Sequence, residues 1–470
     1  MMCSINEENL AEETMVATPK LSVTDAICRR CNILKAQVLL RKTDPYCRDC
    51  FMKYAVHKFR STIGKAHALK HNEHVLLAYS GGLSSGSMVK LIKEGLDFSE
   101  SKKIKMVFKP TLVHIDEGLI LNLSKHERKE TTDFVLEQAK KNGFDVYICS
   151  LEYCLAPDLN DLKLEMNSYQ IEPSIYESQL EMLFGSVKSL TAKEDLLIRL
   201  KQRLITLLAT RLNHAKVFLG PNATRLAGQL LSAIGQGRGA QIAHEIGFTD
   251  SRTGTVFLRP MREFVDKEVA YLANFLGVDS VCLPTLSSKL GSTASIGRLT
   301  EDFVVTLQTN FPATISTLFR ISDKLKSNIA DLNPSDCERD SLCLLCLSAI
   351  EESSVCSAST ARHISQTFSR SGPSGHPSDD LRTHPLQSVG TVRHQDSTSC
   401  SSNCNSQGKP CCKTSNDQIK SDWSAVLCYG CRITMEDVKQ PELMPINYLE
   451  ELGLRSRRQV MRQSVEQFLL

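Results

Sequence analysis

The 470-residue chain lacks most of what would mark a membrane, secreted or fibrous protein. No apolar run approaches the roughly 18 residues that a membrane-spanning helix needs. The first 15 residues hold Glu7, Glu8, Glu12 and Glu13 but no Lys or Arg and no long apolar stretch. That excludes the basic, apolar-cored pattern of a secretory leader and the arginine-rich pattern of a mitochondrial one. Charge of one sign is missing too. The 56 Lys and Arg against 53 Asp and Glu leave a net charge of +3, so any nucleic-acid surface must come from local clustering. With 41% hydrophobic and 23% charged residues, a wholly disordered chain, a collagen and a coiled coil are excluded. The length allows about three domains at roughly 150 residues each.

What the chain has in abundance is cysteine, 18 in all, many in Cys-x-x-Cys pairs. With no export signal, a reducing, cytoplasmic location is expected, where such pairs point to metal thiolates rather than disulfides. Cys28, Cys31, Cys47 and Cys50 form a C-x2-C-x15-C-x2-C array, the spacing of a structural zinc site. Reduced thiols in a small core are the plain alternative. Four thiolates leave zinc no open position, so this site is expected to be structural rather than hydrolytic. Cys343 and Cys346 are separated by 81 residues from Cys428 and Cys431. A shared zinc is expected there as well, because lengthening a loop adds only about 0.6 kcal/mol per doubling. Two unrelated pairs, or a site that borrows Cys337, are the competing readings.

The composition changes sharply along the chain. Residues 351–420 contain 16 Ser and only eight Val, Ile, Leu or Phe, too little apolar surface to offset their ordering entropy. They read as a disordered insertion. Residues 1–25 read as a flexible acidic tail, 26–72 as a zinc module followed by a basic helix, and 336–350 with 421–450 as a second zinc module. Residues 451–470 read as a C-terminal tail. Between 73 and 335 strand and helix patterns alternate. Val75–Tyr79, Met106–Ile115, Asp145–Cys149 and Lys216–Gly220 read as strands. Ser84–Leu96, Ser124–Lys141 and about 194–213 read as helices. This predicts an α/β domain, a parallel sheet with helices on both faces.

The first of these strands runs into Ser80-Gly81-Gly82-Leu83-Ser84-Ser85-Gly86, a small-residue turn that opens a helix. Such a turn lets backbone N–H groups approach an anion at the helix N-terminus. It is not a Walker A loop, since Ser87 stands where Lys is required. Nor does Gly235–Gly239 complete a dinucleotide fingerprint. Ser80–Ser85 resembles the SGGxDS pyrophosphate loop of the PP-loop ATPases, the adenine nucleotide alpha hydrolase-like fold. His114–Gly118 resembles that family's IDEG segment at the end of the next strand. With a four-cysteine module before the domain and a cysteine-pair module after it, the layout is similar to the two-thiouridine group of tRNA thiouridine synthases. The resemblance covers roughly 26–350 and 421–450. It implies a nucleotide contact at Ser80, Gly81, Gly82, Ser84, Ser85 and Asp116, with ATP binding itself left open.

The departures from that family matter as much. Ser84 stands where active members carry Asp. Gly220–Arg225 (GPNATR) stands where they carry a GHN-x-DD segment, so a His and both acids are gone and Arg225 reverses a charge. Thiolating members also carry paired cysteines on the helix before that strand, and here the helix at about 191–213 has none. Cys149 and Cys154 lie too early to match, and Cys282 falls near the family's third active-site cysteine. No catalytic residue is therefore expected in this chain.

Residues 51–72 hold Lys53, Lys58, Arg60, Lys65 and Lys70 with no acid, while Phe51, Tyr54, Phe59 and Ile63 fit an apolar stripe. A one-signed helix face suits RNA phosphates; a solvated surface is the plain alternative. The resemblance completes the expectation. It implies a tRNA-binding, largely noncatalytic subunit in ATP-dependent 2-thiolation of the wobble uridine (mcm5s2U) of cytosolic tRNAs for Lys, Glu and Gln. It would be the heterodimeric partner of a homologous catalytic PP-loop subunit, with sulfur from a thiocarboxylated ubiquitin-related carrier. The alternatives are an autonomous sulfurtransferase using Cys282 or Cys149, and a zinc-ribbon RNA-binding scaffold unrelated to thiolation.

Overall fold

The computed structural model describes residues 26–40, 43–65, 68–96, 108–322, 340–350 and 423–466. The tail expected at 1–25, the insertion expected at 351–420, and Cys337, Cys400, Cys404, Cys411 and Cys412 lie outside the described residues.

A short antiparallel hairpin comes first, β1 (Val38–Leu40) and β2 (Asp44–Tyr46), followed by α1 (Arg48–Lys65). The α/β domain then runs β3 (Glu73–Ala78), α2 (Leu83–Leu96), β4 (Phe108–Asp116), α3 (Lys125–Asn142), β5 (Val146–Ser150) and β6 (Glu165–Met166). It continues with α4 (Glu177–Ser186), α5 (Leu190–Arg211), β7 (Lys216–Phe218), α6 (Ala223–Gly235) and α7 (Ile242–Ile246). After β8 (Thr249–Asp250) and β9 (Val256–Leu258) come α8 (Asp266–Leu276), α9 (Ile296–Asn310) and α10 (Thr314–Ser322). Near the C-terminus are α11 (Tyr429–Glu436) and α12 (Ile446–Glu466), the latter continuing through the boundary between 450 and 451 where the sequence suggests a tail.

Seven strands form one sheet in the order β6-β5-β4-β3-β7-β9-β8. The five inner strands are parallel, and β6 and β8 pair antiparallel at the two edges. β3 alternates its side chains between two cores, as strand periodicity requires. Val75 and Leu77 pack with Phe51 and Phe59 of α1, Met88 of α2, Val135 of α3 and Val269 of α8. Leu76 enters the opposite core with Leu196, Leu200 and Leu204 of α5. Helices therefore cover both faces, the arrangement a parallel sheet needs. Local signals set several ends. Ser124 caps α3 in a reciprocal box with Glu127, and Gly143 closes it in the left-handed conformation.

From β3 the chain first builds outward through β4 and β5, then crosses back to β7 on the other side of β3. The carboxyl end of β3 is thus a topological switch point, where open α/β sheets form their ligand crevice. The Ser80–Ser85 loop leaves β3 at this point.

Candidate functional site

The glycine loop turns where β3 ends. Gly81 has φ +80, and a Cβ there would lie 2.7 Å from Val281 Cγ1. Only glycine fits both the backbone and the space. Inside the turn Ser85 donates to the Gly82 carbonyl at 3.1 Å and shares a contact of 3.1 Å with the Ser80 hydroxyl. The Ser84 hydroxyl donates to the Gly220 carbonyl at 2.6 Å. Gly220 approaches so closely that a Cβ on it would sit 3.1 Å from Ser85 Cα. The two segments recognised in the sequence therefore face one another across β3 and β7. Asn222 caps α6 by accepting from the Arg225 N–H at 3.0 Å, and its amide also reaches Asp266 at 2.5 Å. Arg225 is exposed.

Asp116 ends β4 but is held within the protein. Arg128 Nε donates to its Oδ2 at 2.8 Å, the Tyr169 hydroxyl donates to the same oxygen at 3.2 Å, and the Gly118 N–H donates to Oδ1 at 2.9 Å. His114 is buried with Nδ1 2.9 Å from the Tyr79 carbonyl, and burial holds its pKa below the ordinary histidine value. Cys149 and Cys154 are fully buried, and burial pushes both thiols far above the ordinary cysteine range. Cys282 is exposed, in the segment whose Val281 N–H donates to the Gly81 carbonyl at 3.0 Å.

The two cysteine sets each close up in space. Cys28, Cys31, Cys47 and Cys50 bring their sulfurs within 4.8 Å of one another, and so do Cys343, Cys346, Cys428 and Cys431. Measured pairs are 3.9 Å (Cys31–Cys47) and 3.6 Å (Cys346–Cys428). A tetrahedral ion with metal–sulfur bonds of about 2.3 Å spaces its ligands by about 3.8 Å. Both sets thus match a single four-coordinate ion. A cubane cluster, with an iron under each thiolate, would need its cysteines farther apart. Either set can hold one metal ion. In the first set, burial raises the Cys28 thiol, but the backbone N–H groups of Cys47, Cys31 and Arg30 outweigh it and bring its pKa to about 6. The N–H groups of Leu34 and Ile33 likewise lower Cys31. Burial and the neighbouring Cys47 and Cys28 sulfurs push Cys50 up to about 12.

The basic helix divides. Lys53, His57 and Lys65 are exposed on α1, which ends at Lys65 rather than at 72, so Lys70 and His71 are exposed in the turn before β3. Arg60 is half-buried. Lys58, expected on the RNA-facing side, turns inward: its Nζ lies 2.8 Å from Glu268 Oε2 and 4.9 Å above the centre of the Phe264 ring. The reason is the packing of α1 on α8, which buries Cys50, Phe51, Ala55, Phe59 and Ile63 and leaves Lys58 and Tyr54 beside Glu268. Burial lowers the Lys58 pKa, but the charge and hydrogen bond of Glu268 together with those of Tyr54 outweigh it, so the net direction is up.

Sequence reasoning missed the surroundings of the second cysteine set. Arg199 of α5 is buried and paired with Asp195 and Glu245. Arg238, in the glycine-rich stretch at 235–239, is 2% exposed and bonded to Asp195, Thr434 and Gly430. The signal available was the stretch Gly235–Gln241 itself, glycines around one arginine directly after a helix.

A model of the family "Cytoplasmic tRNA 2-thiolation protein 2" matches residues 295–433. Curated relatives extend the similarity over the rest. Cytoplasmic tRNA 2-thiolation protein 2-B of Xenopus laevis is 33% identical, covering 94% of each chain. Cytoplasmic tRNA 2-thiolation protein 2 of Danio rerio is 33% identical over 100% of this chain and 99% of its own. The Homo sapiens protein of that name is 32% identical over 97% and 96%. Among solved structures, the U34-tRNA thiolase NcsA from Methanococcus maripaludis with its 4Fe-4S cluster aligns at a TM-score of 0.48 and 19% identity. That alignment covers 72% of this chain and 96% of the thiolase.

Proposed function

The chain belongs to the cytoplasmic tRNA 2-thiolation protein 2 family, with a role in tRNA thiolation, and on that premise we propose that it is the tRNA-binding, largely noncatalytic subunit of the thiolation enzyme. Its partner is a homologous PP-loop subunit that carries out the ATP-dependent activation of the wobble uridine at C2. The substrates are the cytosolic tRNAs for Lys, Glu and Gln, and the sulfur arrives as a thiocarboxylate on a ubiquitin-related carrier.

One observation carries the noncatalytic assignment. Neither Ser80–Ser85 nor Gly220–Arg225 contributes an acidic side chain where the two face each other, and the Ser84 hydroxyl and Asn222 side-chain carbonyl are turned onto the protein itself. A magnesium nucleotide needs anionic or hydrated oxygen ligands at its metal, and Arg225 supplies the opposite charge. Asp116 is neutralised by Arg128. The buried Cys149 and Cys154 have no access to substrate, and α5, which runs before β7, carries no thiol.

The two cysteine sets are read as structural zinc sites. Zinc is redox-inert and takes four thiolates without leaving an open position, so each ion would fix a module rather than do chemistry. The first holds the N-terminal end of α1. The exposed Lys53, Lys65 and Lys70, with His57 and His71 beside them, are read as the phosphate-contacting set.

Deleting the gene and measuring 2-thiouridine in bulk tRNA tests the role. Thiouridine disappears if the reading holds, while the purified chain alone gives no adenylation and co-purifies with a homologous subunit. Normal thiouridine in the deletion strain would end the proposal.

A further inference from the structure

The second cysteine set is contacted by two side chains from the turn that follows α6. Gln241 Nε2 lies 2.8 Å from Cys428 Sγ, and Arg238 Nη1 lies 3.8 Å from Cys431 Sγ. Both residues are buried, Gln241 4% and Arg238 2% exposed. From this geometry we infer that Arg238 and Gln241 are positioning residues of the second metal centre. They donate N–H hydrogen bonds to the thiolate sulfurs and fix their orientation about the ion. The inference rests on reading that set as a metal centre.

The chemistry of the donors supports it. A thiol sulfur is a weak acceptor, and a primary amide loses free energy when buried without a good partner. Gln241 spends its amide on sulfur, while its carbonyl oxygen has no hydrogen-bond partner among the described residues. An anionic thiolate makes this placement favourable, because hydrogen bonds to charged acceptors are roughly twice as strong. The backbone is shaped for the approach. A Cβ on Gly430 would lie 2.4 Å from Arg238 Cγ, and one on Gly237, at φ +73, would lie 2.6 Å from Tyr429 Cε1. The glycine inside the Cys428–Cys431 pair thus admits the arginine. At the first set the task falls to backbone N–H groups, those of Leu34 and Ile33 at Cys31 among them. Outer hydrogen bonds of this kind orient ligands and tune the metal, and losing one typically lowers metal affinity 10–100-fold.

Gln241→Leu is the decisive variant, since among the described residues its one side-chain hydrogen bond is to sulfur. Arg238→Met also removes one of the two arginines paired with Asp195, so it serves only as a second probe, with Arg238→Lys as the conservative control. The full-length chain is loaded with zinc, challenged with EDTA, and scored for ions and reactive thiols per chain. Cobalt(II)-substituted samples report the sulfur-to-metal charge-transfer band. One of two ions should leave Gln241→Leu roughly tenfold or more faster than wild type, with a shifted band, while the other ion and the circular dichroism stay unchanged. Wild-type release of both ions together with an unaltered cobalt spectrum in Gln241→Leu would overturn the inference alone. A wild-type chain whose Cys343, Cys346, Cys428 and Cys431 titrate as free thiols would overturn the metal reading and this inference with it.

Discussion

The Ser84 hydroxyl donates to the Gly220 carbonyl oxygen across 2.6 Å, joining the turn after β3 to the turn after β7. At this position the resemblance predicts a carboxylate, which cannot donate. Ser84→Asp would set a negative oxygen against a carbonyl oxygen and remove the bond. The expected cost is about 1–3 kcal/mol, from losing the hydrogen bond and leaving the carbonyl unpaired. The missing acids of Gly220–Arg225 are not replaced by this change, so the variant should melt lower and release no pyrophosphate from ATP with tRNA. Adenylation by the lone Ser84→Asp chain would show that one carboxylate was all the site lacked.

Gly81 is the stricter requirement of the same turn. Ala at this position would occupy a left-handed backbone and drive its Cβ to 2.7 Å from Val281. The strain alone is about 1–3 kcal/mol, and Val278–Cys282 would have to move. Gly81→Ala should lower the urea midpoint and increase the reactivity of Cys282 toward a maleimide. An unchanged midpoint and labelling rate would mean that the 281 segment does not sit on the loop in solution.

The lysines of α1 and of the turn before β3 fall into two kinds that experiment can separate. Lys53→Glu, Lys65→Glu and Lys70→Glu together should weaken tRNA binding and flatten its salt dependence, since each lost phosphate contact removes about 0.7–0.9 from the log–log slope. Lys58→Met should lower stability by about 1–3 kcal/mol through the loss of a charged hydrogen bond to Glu268, with the salt slope retained. The pH sign follows the raised Lys58 pKa: the stabilisation is fully present below the ordinary lysine value and fades as pH rises through the folded-state value. Equal loss of salt dependence in both proteins would place Lys58 on the RNA.

Much of this architecture is readable from the residues because local and long-range signals agree. The apolar run at Val75–Tyr79 and the small-residue turn after it locate β3 and its loop, and the Ser124–Glu127 box marks the start of α3. The pairing of two cysteine pairs across 81 residues is also legible, since thiolate spacing is a chemical rule that survives an insertion. Burial of charge is not legible. Lys58 and Arg238 look like surface cations because sequence periodicity does not reveal which helix covers them. Only α8 beside α1, and α5 beside the turn that follows α6, give them acids to meet. On α5, likewise, Leu196 and Ile205 are buried, whereas Leu197 and Leu207 are only partly covered.

Asp250 on the edge strand β8 carries the last test. Its carboxylate accepts Arg252 Nη2 and Nε at 2.8 and 2.9 Å, and the same guanidinium donates to the Cys346 carbonyl at 3.0 Å and to the Ser348 hydroxyl at 2.8 Å. Burial raises the Asp250 pKa, but the Arg252 hydrogen bonds and charge outweigh it, so it falls below the ordinary aspartate value. Such a group stabilises the fold above its unfolded-state pKa, and the contribution is lost as pH falls through the folded-state pKa. Asp250→Asn leaves a buried arginine without its counter-charge, so it should cost about 3–5 kcal/mol at neutral pH. The gap between variant and wild type should narrow only in acid below about pH 4. Parallel urea titrations of the two proteins, with the metal bound per chain measured at each pH, separate this charge effect from the release of metal in acid. Because Arg252 ties β8 to the Cys343–Cys346 strand of chain, the variant should also shed metal from the second set faster. Equal stability at pH 7, or a gap that persists unchanged at pH 3, would show that the pair does not clamp this module.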